Sequence, residues 1–371
     1  MKNNKLIVKT KSKTYPIYLG SGNLSTIGNL IKKNLNGVKK ICIICDKKLP
    51  KLILIKLIKS LKKYDLKIFK LTANEKTKSF KVANKIIEQL LRDNFNRSDC
   101  VIAFGGGILG DLSSFISNLT KRGLKFVNIP TTLLAQVDAS IGGKTGVNSN
   151  LGKNLIGTYY QPDFVLSDVD ILKSLPQREI ISGYGEILKH SLILDKKFFF
   201  WLYKNGKKII YKKNNILLIK AITRSCKIKS EIVNKDEKEK NLRMILNFGH
   251  TFAHGFEGAN NFSKKMSHGE AVLLGMMIAS ELSYKKKLLS FKELELIKKH
   301  YVSLKLPMDI KKKFNRNQIN KIIYFMKMDK KNIDEKINLI LLNKIGKTTK
   351  PKKIALNSNI VKKFLNNYYV Q

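Results

Sequence analysis

The sequence contains few cysteines and no long apolar run, and these absences argue against a disulfide-rich protein and against a membrane-spanning one. Its 371 residues include only four cysteines, so nothing in it indicates a disulfide framework or an oxidising compartment. Long apolar runs are missing too, because even residues 52–58 are interrupted by lysine and a bilayer span needs about 20 apolar residues. The first apolar run has three residues, which is too short for the core of a signal peptide. We therefore expect a cytoplasmic protein that does not enter a membrane.

Acidic residues are scarce as well. The chain has 27 aspartates and glutamates against 72 lysines and arginines, which gives a formal net charge of +45. The positive charges extend from Lys2 to Lys363 without one basic block, and no basic stretch is interleaved with aromatic residues. This distribution favours a solvated surface over a specific nucleic-acid site, although it would attract a small anionic substrate. The alternative to an enzyme is a protein that uses this charge to bind polyanions.

Two of the cysteines, Cys42 and Cys45, have the spacing of a metal-binding or redox pair. They lie in the apolar run 41–46, which has the composition of a buried strand. Side chains three positions apart in a strand point to opposite faces of the sheet, so the two thiols are poorly placed to share a ligand. We predict buried core thiols at both positions.

Short apolar runs alternate with helical periodicity in the first half of the chain. Residues 39–45, 99–104 and 125–129 have the composition of strands that are buried on both faces. Residues 80–92 have the periodicity of an amphipathic helix. Such alternation predicts an α/β domain with a parallel, Rossmann-like sheet.

Helical periodicity replaces this alternation after about residue 175. The segments 209–233 and 271–289 are long, amphipathic and punctuated by lysine, and strand-like runs largely disappear. We predict an α/β amino-terminal domain over residues 1–175 and a mainly α-helical carboxy-terminal domain over residues 176–371.

A glycine-rich turn follows the second predicted strand. Gly105, Gly107 and Gly110 fit the pattern G-x-G-x-x-G. A helix can begin at Leu112, and backbone amides in such a turn approach the pyrophosphate of a dinucleotide, although other tight turns use glycine too. Asp46, at the end of an earlier strand, either accepts a hydrogen bond from a ribose hydroxyl or is a turn or cap residue.

Two glycine-bearing segments, 130–148 and 152–157, follow the third predicted strand. Each carries a lysine, Lys144 in the first and Lys153 in the second. Small residues with a positive charge predict polar loops that receive an anion. The alternative is a mobile surface loop, which the flanking apolar residues disfavour.

Histidine is rare, yet three of the five histidines fall within 19 residues, at His250, His254 and His268. Glu186 stands upstream. Two imidazoles and one carboxylate form a common ligand set for catalytic zinc and leave a coordination position open for substrate. Spacing alone nominates His250 and His254, one helical turn apart, as the histidine pair. The alternative is that these histidines are structural.

Taken together, these motifs resemble the 3-dehydroquinate synthases, a family of the sugar-phosphate cyclase superfamily. The resemblance covers nearly the whole chain, and the combination of motifs is far more specific than the glycine pattern alone. The matching segments, in chain order, are 105–111, 130–144, 152–157, 186–189, 243–254, 268–272, 328–332 and 344–347.

The resemblance implies a zinc or cobalt site formed by Glu186, His250 and His268. It places His254 in the substrate pocket without a bond to the metal, which overrules the pair suggested by spacing. The chain departs from the family at Gly185, where alanine is common before the metal-binding glutamate. This departure lies beside the ligands and does not replace one.

The resemblance also implies contacts with NAD in the first domain and with a doubly anionic sugar acid phosphate. Arg122 matches an arginine that reaches the phosphate pocket of the neighbouring subunit, which implies a homodimer. The other substrate-pocket and catalytic positions are Lys144, Asn154, Lys189, Lys229, Glu239, Arg243, Asn247, His254, Lys330 and Asp138. The NAD positions are Asp46, Glu75, Lys78, Gly105, Gly106, Gly107, Asp111, Thr131, Thr132, Lys144, Lys153 and Ser174.

The activity implied by the resemblance is the conversion of 3-deoxy-D-arabino-heptulosonate 7-phosphate to 3-dehydroquinate and phosphate. This is a carbon-oxygen lyase reaction of the shikimate pathway, which supplies chorismate and the aromatic amino acids. NAD would be reduced and reoxidised within one turnover, around a phosphate elimination and before an aldol cyclisation. The alternatives are another sugar-phosphate cyclase, with a different carboxylate pocket, and a metal-dependent polyol dehydrogenase, which would release NADH.

Overall fold

The computed structural model describes residues 4–263, 265–328 and 336–370. The strands are β1 (Asn4–Lys9), β2 (Thr14–Gly20), β3 (Lys40–Asp46), β4 (Asp65–Leu71), β5 (Cys100–Gly105), β6 (Lys125–Pro130), β7 (Lys144–Ser149), β8 (Gly152–Tyr159), β9 (Phe164–Asp168), β10 (Lys336–Leu339), β11 (Leu342–Lys344), β12 (Lys347–Thr348) and β13 (Ile354–Asn357). The helices are α1 (Ile27–Asn34), α2 (Lys51–Ser60), α3 (Phe80–Arg92), α4 (Gly107–Leu119), α5 (Gln177–Leu194), α6 (Lys196–Ile210), α7 (Asn215–Lys235), α8 (His250–Ala259), α9 (His268–Lys285), α10 (Phe291–Ser303), α11 (Ile319–Lys327) and α12 (Ser358–Asn366).

The described residues form two compact units. The first comprises the residues up to Ile180 together with Lys213–Lys238, and the second comprises Ile181–Lys212 and the residues from Glu239 onward. α7 therefore lies in the first unit, although the sequence division placed it in the helical domain. It packs beside β1, where Asn234 Oδ1 accepts a hydrogen bond from the backbone N–H of Lys9 (3.0 Å). The functional division at residue 175 stays a prediction.

The first unit is built on a seven-stranded sheet with the order β1-β2-β9-β6-β5-β3-β4. The β1–β2 pair is antiparallel, and the other neighbouring strands are parallel. The strands predicted at 39–45, 99–104 and 125–129 correspond to β3, β5 and β6, and the helix predicted at 80–92 is α3. The predicted parallel sheet is confirmed.

β3 shows why its sequence is apolar throughout. Ile41, Ile43 and Cys45 pack into the core on one face of the sheet, and Cys42 and Ile44 pack into the core on the other. All four cysteines of the chain are buried and free of disulfides, and burial raises the pKa of the Cys42 thiol. The prediction of buried core thiols is confirmed.

The glycine-rich segment is the first turn of a helix rather than a separate turn. α4 begins at Gly107, so the predicted start at Leu112 is wrong, and Gly106 is the N-cap residue. β5 ends at Gly105, directly before it. A Cβ on Gly106 would lie 3.1 Å from Thr132 Cγ2, and this tight spacing favours glycine at the abrupt change from strand to helix.

The end of the first segment predicted as a polar loop and the whole of the second form an antiparallel hairpin of β7 and β8. Gly146 and Gly157 face each other in it, and a Cβ on Gly146 would lie 2.7 Å from Ile156 O. The glycines thus allow two backbones to approach closely, which the loop prediction did not consider. A π-helical turn at Ala135–Ala139 precedes the hairpin.

The second unit is mainly helical, as predicted. Two small two-stranded sheets, β10 with β13 and β11 with β12, also belong to it, so strands do not disappear from this half. The amphipathic segment 209–233 spans the end of α6 and most of α7, because the chain breaks between these two helices. Asn214 begins the new helix by accepting a hydrogen bond from Leu217 N through its side chain. In the described parts of the chain, no helix is long and apolar enough to cross a membrane.

Candidate functional site

Glu186, His250 and His268 come together in the second unit. Each offers one ligand atom, and these three atoms lie within 4.8 Å of one another. Glu186 is 1% exposed. Its Oε2 contacts the ammonium of the buried Lys189, and its Oε1 lies 3.5 Å from His250 Nε2. A buried carboxylate that faces two imidazoles fits a divalent metal such as zinc.

Three helices position this metal triad, Glu186, His250 and His268. Glu186 lies inside α5, while His250 and His268 are the first residues of α8 and α9. A capping box fixes the start of α9, since Ser267 Oγ accepts a hydrogen bond from Glu270 N and the Glu270 carboxylate accepts one from Ser267 N. These two hydrogen bonds therefore fix the backbone conformation next to His268.

Glycines allow these helices to approach closely enough for the triad to form. Gly249, directly before α8, has φ +80°, and a Cβ there would lie 2.5 Å from Met276 Cγ in α9. A Cβ on Gly269, the second residue of α9, would overlap Ser182 in α5. Larger residues at either position would push the ligand-bearing helices apart.

Glu257 is a site residue that the sequence analysis missed. Its Oε2 lies 3.2 Å from His268 Nδ1. Partial burial opposes protonation of His268, but the charge of Glu257 and the hydrogen bond to it raise the pKa of the imidazole. The signal was available in the sequence, because Glu257 is seven residues after His250 and helical periodicity places both on one face of α8.

His254 is near the triad but does not join it. Its ring centroid lies 6.1 Å from that of His250, whereas the His268 centroid lies 5.4 Å from it. The structure gathers His268 with Glu186 and His250, so the histidine pair suggested by spacing alone is not the one that forms. His250 and His254 are one helical turn apart on α8, but which histidine comes closest to His250 also depends on the position of α9.

Other predicted substrate residues lie in the same unit. Arg243 is 3% exposed, within the short helical turn Leu242–Asn247. Asn247 Nδ2 donates a hydrogen bond to Glu239 Oε1 (2.8 Å), and Lys189 is 2% exposed beside Glu186. Lys330 lies outside the described residues. A buried arginine and a buried lysine in one unit are suited to holding an anionic ligand.

In the first unit, Lys78, a predicted NAD residue, contacts one other predicted NAD residue and one predicted substrate residue. Its ammonium lies 2.6 Å from Asp111 Oδ2 and contacts Asn154 Oδ1. Burial raises the pKa of Asp111, although the neighbouring Lys78 opposes the shift. Lys78 is 5% exposed, so its charge is held within this cluster.

A second cluster ties the β7–β8 hairpin to the loop before α3. Lys153 Nζ lies 2.9 Å from Glu75 Oε1, and Asn148 Nδ2 donates to Glu75 Oε2 (2.7 Å). Partial burial opposes the shift, but these hydrogen bonds lower the pKa of Glu75. Asn148 was not among the predicted site residues, and its position in a glycine-rich segment gave no signal for this role.

The predicted active-site acid Asp138 lies in the π-helical turn of the first unit. Lys229 Nζ approaches it twice, at 2.7 Å from Oδ1 and at 2.6 Å from the backbone carbonyl. Lys229 is 5% exposed, whereas Lys144, at the start of β7, is exposed. The structure therefore pairs Asp138 with one of the predicted lysines.

The remaining predicted residues of the first unit lie at turns and strand ends. Asp46 ends β3, and its Oδ1 accepts a hydrogen bond from Lys48 N in the following turn (3.0 Å), while its contact with a ribose stays a prediction. Ser174 Oγ donates to Ile171 O (3.0 Å). Arg122 is exposed, with φ +62°. Thr131, Thr132, Gly105, Gly106 and Gly107 surround the start of α4.

Two family models match the chain. One, described as 3-dehydroquinate synthase N-terminal, matches residues 68–182, and the other, described as 3-dehydroquinate synthase C-terminal, matches residues 183–332. The 3-dehydroquinate synthase of Pelagibacter ubique is 50% identical over 361 residues, which cover 97% of this chain and 97% of that protein. That of Thermodesulfovibrio yellowstonii is 42% identical over 346 residues, which cover 92% and 94%.

Solved structures share the fold at lower identity. A 2-deoxy-scyllo-inosose synthase complexed with carbaglucose-6-phosphate, NAD+ and Co2+ has a TM-score of 0.89 at 23% identity, covering 98% of this chain and 100% of that one. The 2-epi-5-epi-valiolone synthase of Streptomyces hygroscopicus, with NAD+ and Zn2+ bound, has a TM-score of 0.84 at 24% identity, with coverage of 98% and 99%. These two likenesses show the fold.

Proposed function

We propose, because the chain belongs to the 3-dehydroquinate synthase family, that it converts 3-deoxy-D-arabino-heptulosonate 7-phosphate to 3-dehydroquinate and phosphate. The reaction is an NAD- and metal-dependent phosphate elimination with cyclisation in the shikimate pathway. The observation that carries the proposal is the metal triad, whose ligand atoms lie within 4.8 Å of one another at a buried carboxylate. A polyanion-binding protein would have no need of such a site.

The chain's own residues would hold the metal and leave room for substrate. When bound, zinc would supply Lewis acidity toward the hydroxyl that is oxidised, and NAD would accept a hydride and return it. Glu186, His250 and His268 would provide three ligands, which is the number typical of a catalytic zinc site. Glu186 is buried, so a bound cation would offset the cost of burying its carboxylate.

The first unit would bind NAD around the start of α4. A helix amino terminus offers free backbone N–H groups to a pyrophosphate, and Gly106 and Gly107 have no side chain that could cover these groups. Asp46, at the carboxyl end of β3, would exchange its bond with Lys48 N for one with a ribose hydroxyl. The other proposed NAD residues are Glu75, Lys78, Gly105, Asp111, Thr131, Thr132, Lys144, Lys153 and Ser174.

Cationic side chains would orient the two ends of the substrate. Arg243, Lys189 and Lys229 are each at most 5% exposed, so charge-assisted hydrogen bonds from them would be little weakened by solvent. Holding a carboxylate and a phosphate at fixed positions restricts the sugar acid to the reactive geometry. Asp138, Glu239, Asn247, His254, Asn154, Lys144 and Lys330 complete the proposed substrate set.

The direct test is incubation of the purified protein with the heptulosonate phosphate, NAD and zinc. We expect equal amounts of phosphate and dehydroquinate, with no accumulation of absorbance at 340 nm, because NADH is reoxidised in each turnover. Exhaustive chelation should abolish the activity, and zinc or cobalt should restore it. Accumulating NADH would support the polyol dehydrogenase instead, and activity that survives chelation would contradict the metal role.

Substitution of Arg243 tests whether the substrate carries a carboxylate, and so distinguishes the proposed substrate from that of a different sugar-phosphate cyclase. If it binds the substrate carboxylate, Arg243→Ala should lower kcat/KM at least about a hundredfold, since a buried charged hydrogen bond is lost. Arg92→Ala, at an exposed arginine in the last turn of α3, is the matched control and should keep the wild-type value. Near-normal kcat/KM in Arg243→Ala, or turnover of a hexose phosphate without a carboxylate, would favour another cyclase.

Assembly as a homodimer belongs to the same proposal. It is supported by the exposure of Arg122, whose family counterpart reaches the phosphate pocket of a neighbouring subunit. Light scattering coupled to size-exclusion chromatography should give twice the mass of the chain. A monomer with full activity would contradict this role of Arg122. The cytoplasmic location stays a prediction.

A further inference from the structure

We propose that Glu257 is a positioning residue of the metal site, which holds the imidazole of His268 with Nε2 directed at the metal. The inference rests on the proposed function of the metal triad. It concerns a residue that binds neither metal nor substrate in the family-based assignment.

The contact that carries the inference joins one ring nitrogen of His268, Nδ1, to a carboxylate. Glu257 Oε2 lies 3.2 Å from His268 Nδ1, so Nδ1–H can donate to it and Nε2 keeps its lone pair for the metal. A carboxylate that accepts the second N–H of a metal-binding histidine fixes the tautomer and the ring orientation, and raises the basicity of the ligand.

His268 needs such support because of its place in the fold. It is the first residue of α9, and 37% of its side chain is exposed. A side chain at a helix end that is partly solvated keeps rotamer freedom, which must be lost when it binds a metal. The capping box at Ser267 fixes the backbone of this residue but not its ring.

Glu257 is suited to provide the support. It lies on the face of α8 that also carries His250, and 13% of its side chain is exposed. One helix therefore supplies a metal ligand at its first residue and, two turns later, the partner of a second ligand. Burying a carboxylate is costly, and a hydrogen bond to an imidazole N–H compensates part of that cost.

Glu257 acts through His268 and not as a ligand. Among the described residues, the ligand cluster that contains His268 consists of it with Glu186 and His250, and Glu257 is absent from it. The interaction should therefore affect metal affinity only while His268 is present. This dependence can be measured.

The experiment uses the full-length protein, stripped of metal and titrated with zinc against a chromogenic chelator. Glu257→Gln keeps the shape of the side chain but removes its charge, and we expect a zinc affinity that is weaker by about 10- to 100-fold. The cobalt-loaded variant should also show a changed visible absorption spectrum, because the ligand geometry is less uniform. Wild-type zinc affinity and an unchanged spectrum would overturn the proposal.

Glu281→Gln is the matched control in the same unit. Glu281 is also a partly buried carboxylate with partners, since it pairs with Lys298 (3.3 Å) and accepts a hydrogen bond from the Tyr368 hydroxyl. Its replacement should leave zinc affinity close to the wild-type value. An equal loss in Glu281→Gln would mean that any lost carboxylate weakens the site, and this would overturn a specific role for Glu257.

A double-mutant cycle tests whether Glu257 acts through His268. In a His268→Ala background, Glu257→Gln should cause no further loss of zinc affinity, because the imidazole that it positions is gone. A further tenfold loss in that background would overturn the positioning role. If Glu257→Gln is unfolded by circular dichroism, Glu257→Asp, which is shorter by one methylene, takes its place with the same expected direction.

The wild-type titration distinguishes the two levels of inference. A wild-type protein that binds no zinc contradicts the proposed function. A wild-type protein that binds zinc as tightly as a folded Glu257→Gln variant contradicts the role of Glu257 alone.

Discussion

His300 is a buried imidazole that serves packing rather than metal binding. Its Nε2 lies 2.8 Å from the Tyr184 hydroxyl, and its ring stacks on Tyr203 at 5.6 Å between centroids. Its Nδ1 has no hydrogen-bond partner among the described residues. Burial lowers its pKa to about 4, because the charged form cannot be solvated. His300 is therefore neutral in the folded protein at neutral pH.

This shift predicts a pH dependence of stability. Below about pH 6.5 the unfolded chain binds a proton at His300 that the folded protein does not, so stability falls as the pH falls toward 4. The wild type should lose about 2 kcal/mol between about pH 7.5 and about pH 5 from this residue. His300→Gln should lack this contribution. Urea unfolding of both proteins at the two pH values measures it, and equal pH slopes would contradict the assignment.

Residues whose chemistry dictates their role were the most predictable from the sequence. The grouping of a carboxylate with two histidines was visible from the scarcity of histidine and from the resemblance. Spacing alone nominated His254 rather than His268 as the second histidine ligand, because spacing in the sequence gives distances only within one helix. Periodicity places Glu257 on the same face of α8 as His250, but its contact with His268 depends on how α8 meets α9.

Among the helices, the approach of α9 to α5 depends on one glycine. A Cβ on Gly269 would overlap Ser182, and its φ is not positive, so the requirement is one of space and not of backbone conformation. Gly269→Ala should destabilise the protein by about 1–3 kcal/mol through overpacking, and it should weaken zinc binding because His268 is the adjacent residue. Urea unfolding and zinc titration measure the two effects.

Gly185→Ala is the comparison for that substitution. A Cβ there would lie 3.1 Å from Leu273 Cγ and 3.4 Å from Gly269 O, which requires a shift of a few tenths of an ångström. Alanine also favours the helix interior by about 0.5–1 kcal/mol. The net change in stability should therefore be smaller than about 1 kcal/mol. If Gly185→Ala destabilises as much as Gly269→Ala, the close contact with Ser182 is not the reason.

Element positions were predicted well where periodicity is local. α3 has the predicted bounds, and β3, β5 and β6 lie within one residue of them. The prediction failed at the glycine-rich segments, since α4 already begins at Gly107 and Gly146 lies in a hairpin where two backbones approach closely. The break before α7 was not predicted either, because one capping side chain, that of Asn214, begins a new helix within the amphipathic segment.

At the scale of the whole molecule, the fold class followed from the alternation of strands and helices, but the bounds of the compact units did not. α7 has an amphipathic sequence like the helices of the second unit, and it belongs to the first. What decides its place is a set of contacts with β1, such as the bond from Lys9 N to Asn234 Oδ1. Such a long-range contact leaves no trace in periodicity.

The net charge of +45 should influence how an anionic substrate reaches the protein. A field of this size raises the local concentration of anions, and it is screened over about 30 Å at 0.01 M salt and about 10 Å at 0.1 M. We therefore expect kcat/KM for the heptulosonate phosphate to fall several-fold over this range while kcat stays unchanged. The lysines of the site contribute to the same effect, so a salt series alone does not separate site from surface.

A triple substitution separates the effect of the surface charge from the effect of the lysines in the site. Lys32, Lys33 and Lys59 are exposed on α1 and α2, which carry no proposed site residue. Replacing all three by glutamate should lower kcat/KM at low salt and leave kcat unchanged, because the field changes and the site does not. At high salt the variant and the wild type should converge, since screening removes the contribution of distant charges. Equal kcat/KM at low salt would show that the substrate responds to the buried cations alone, and that the surface lysines have no part in its capture.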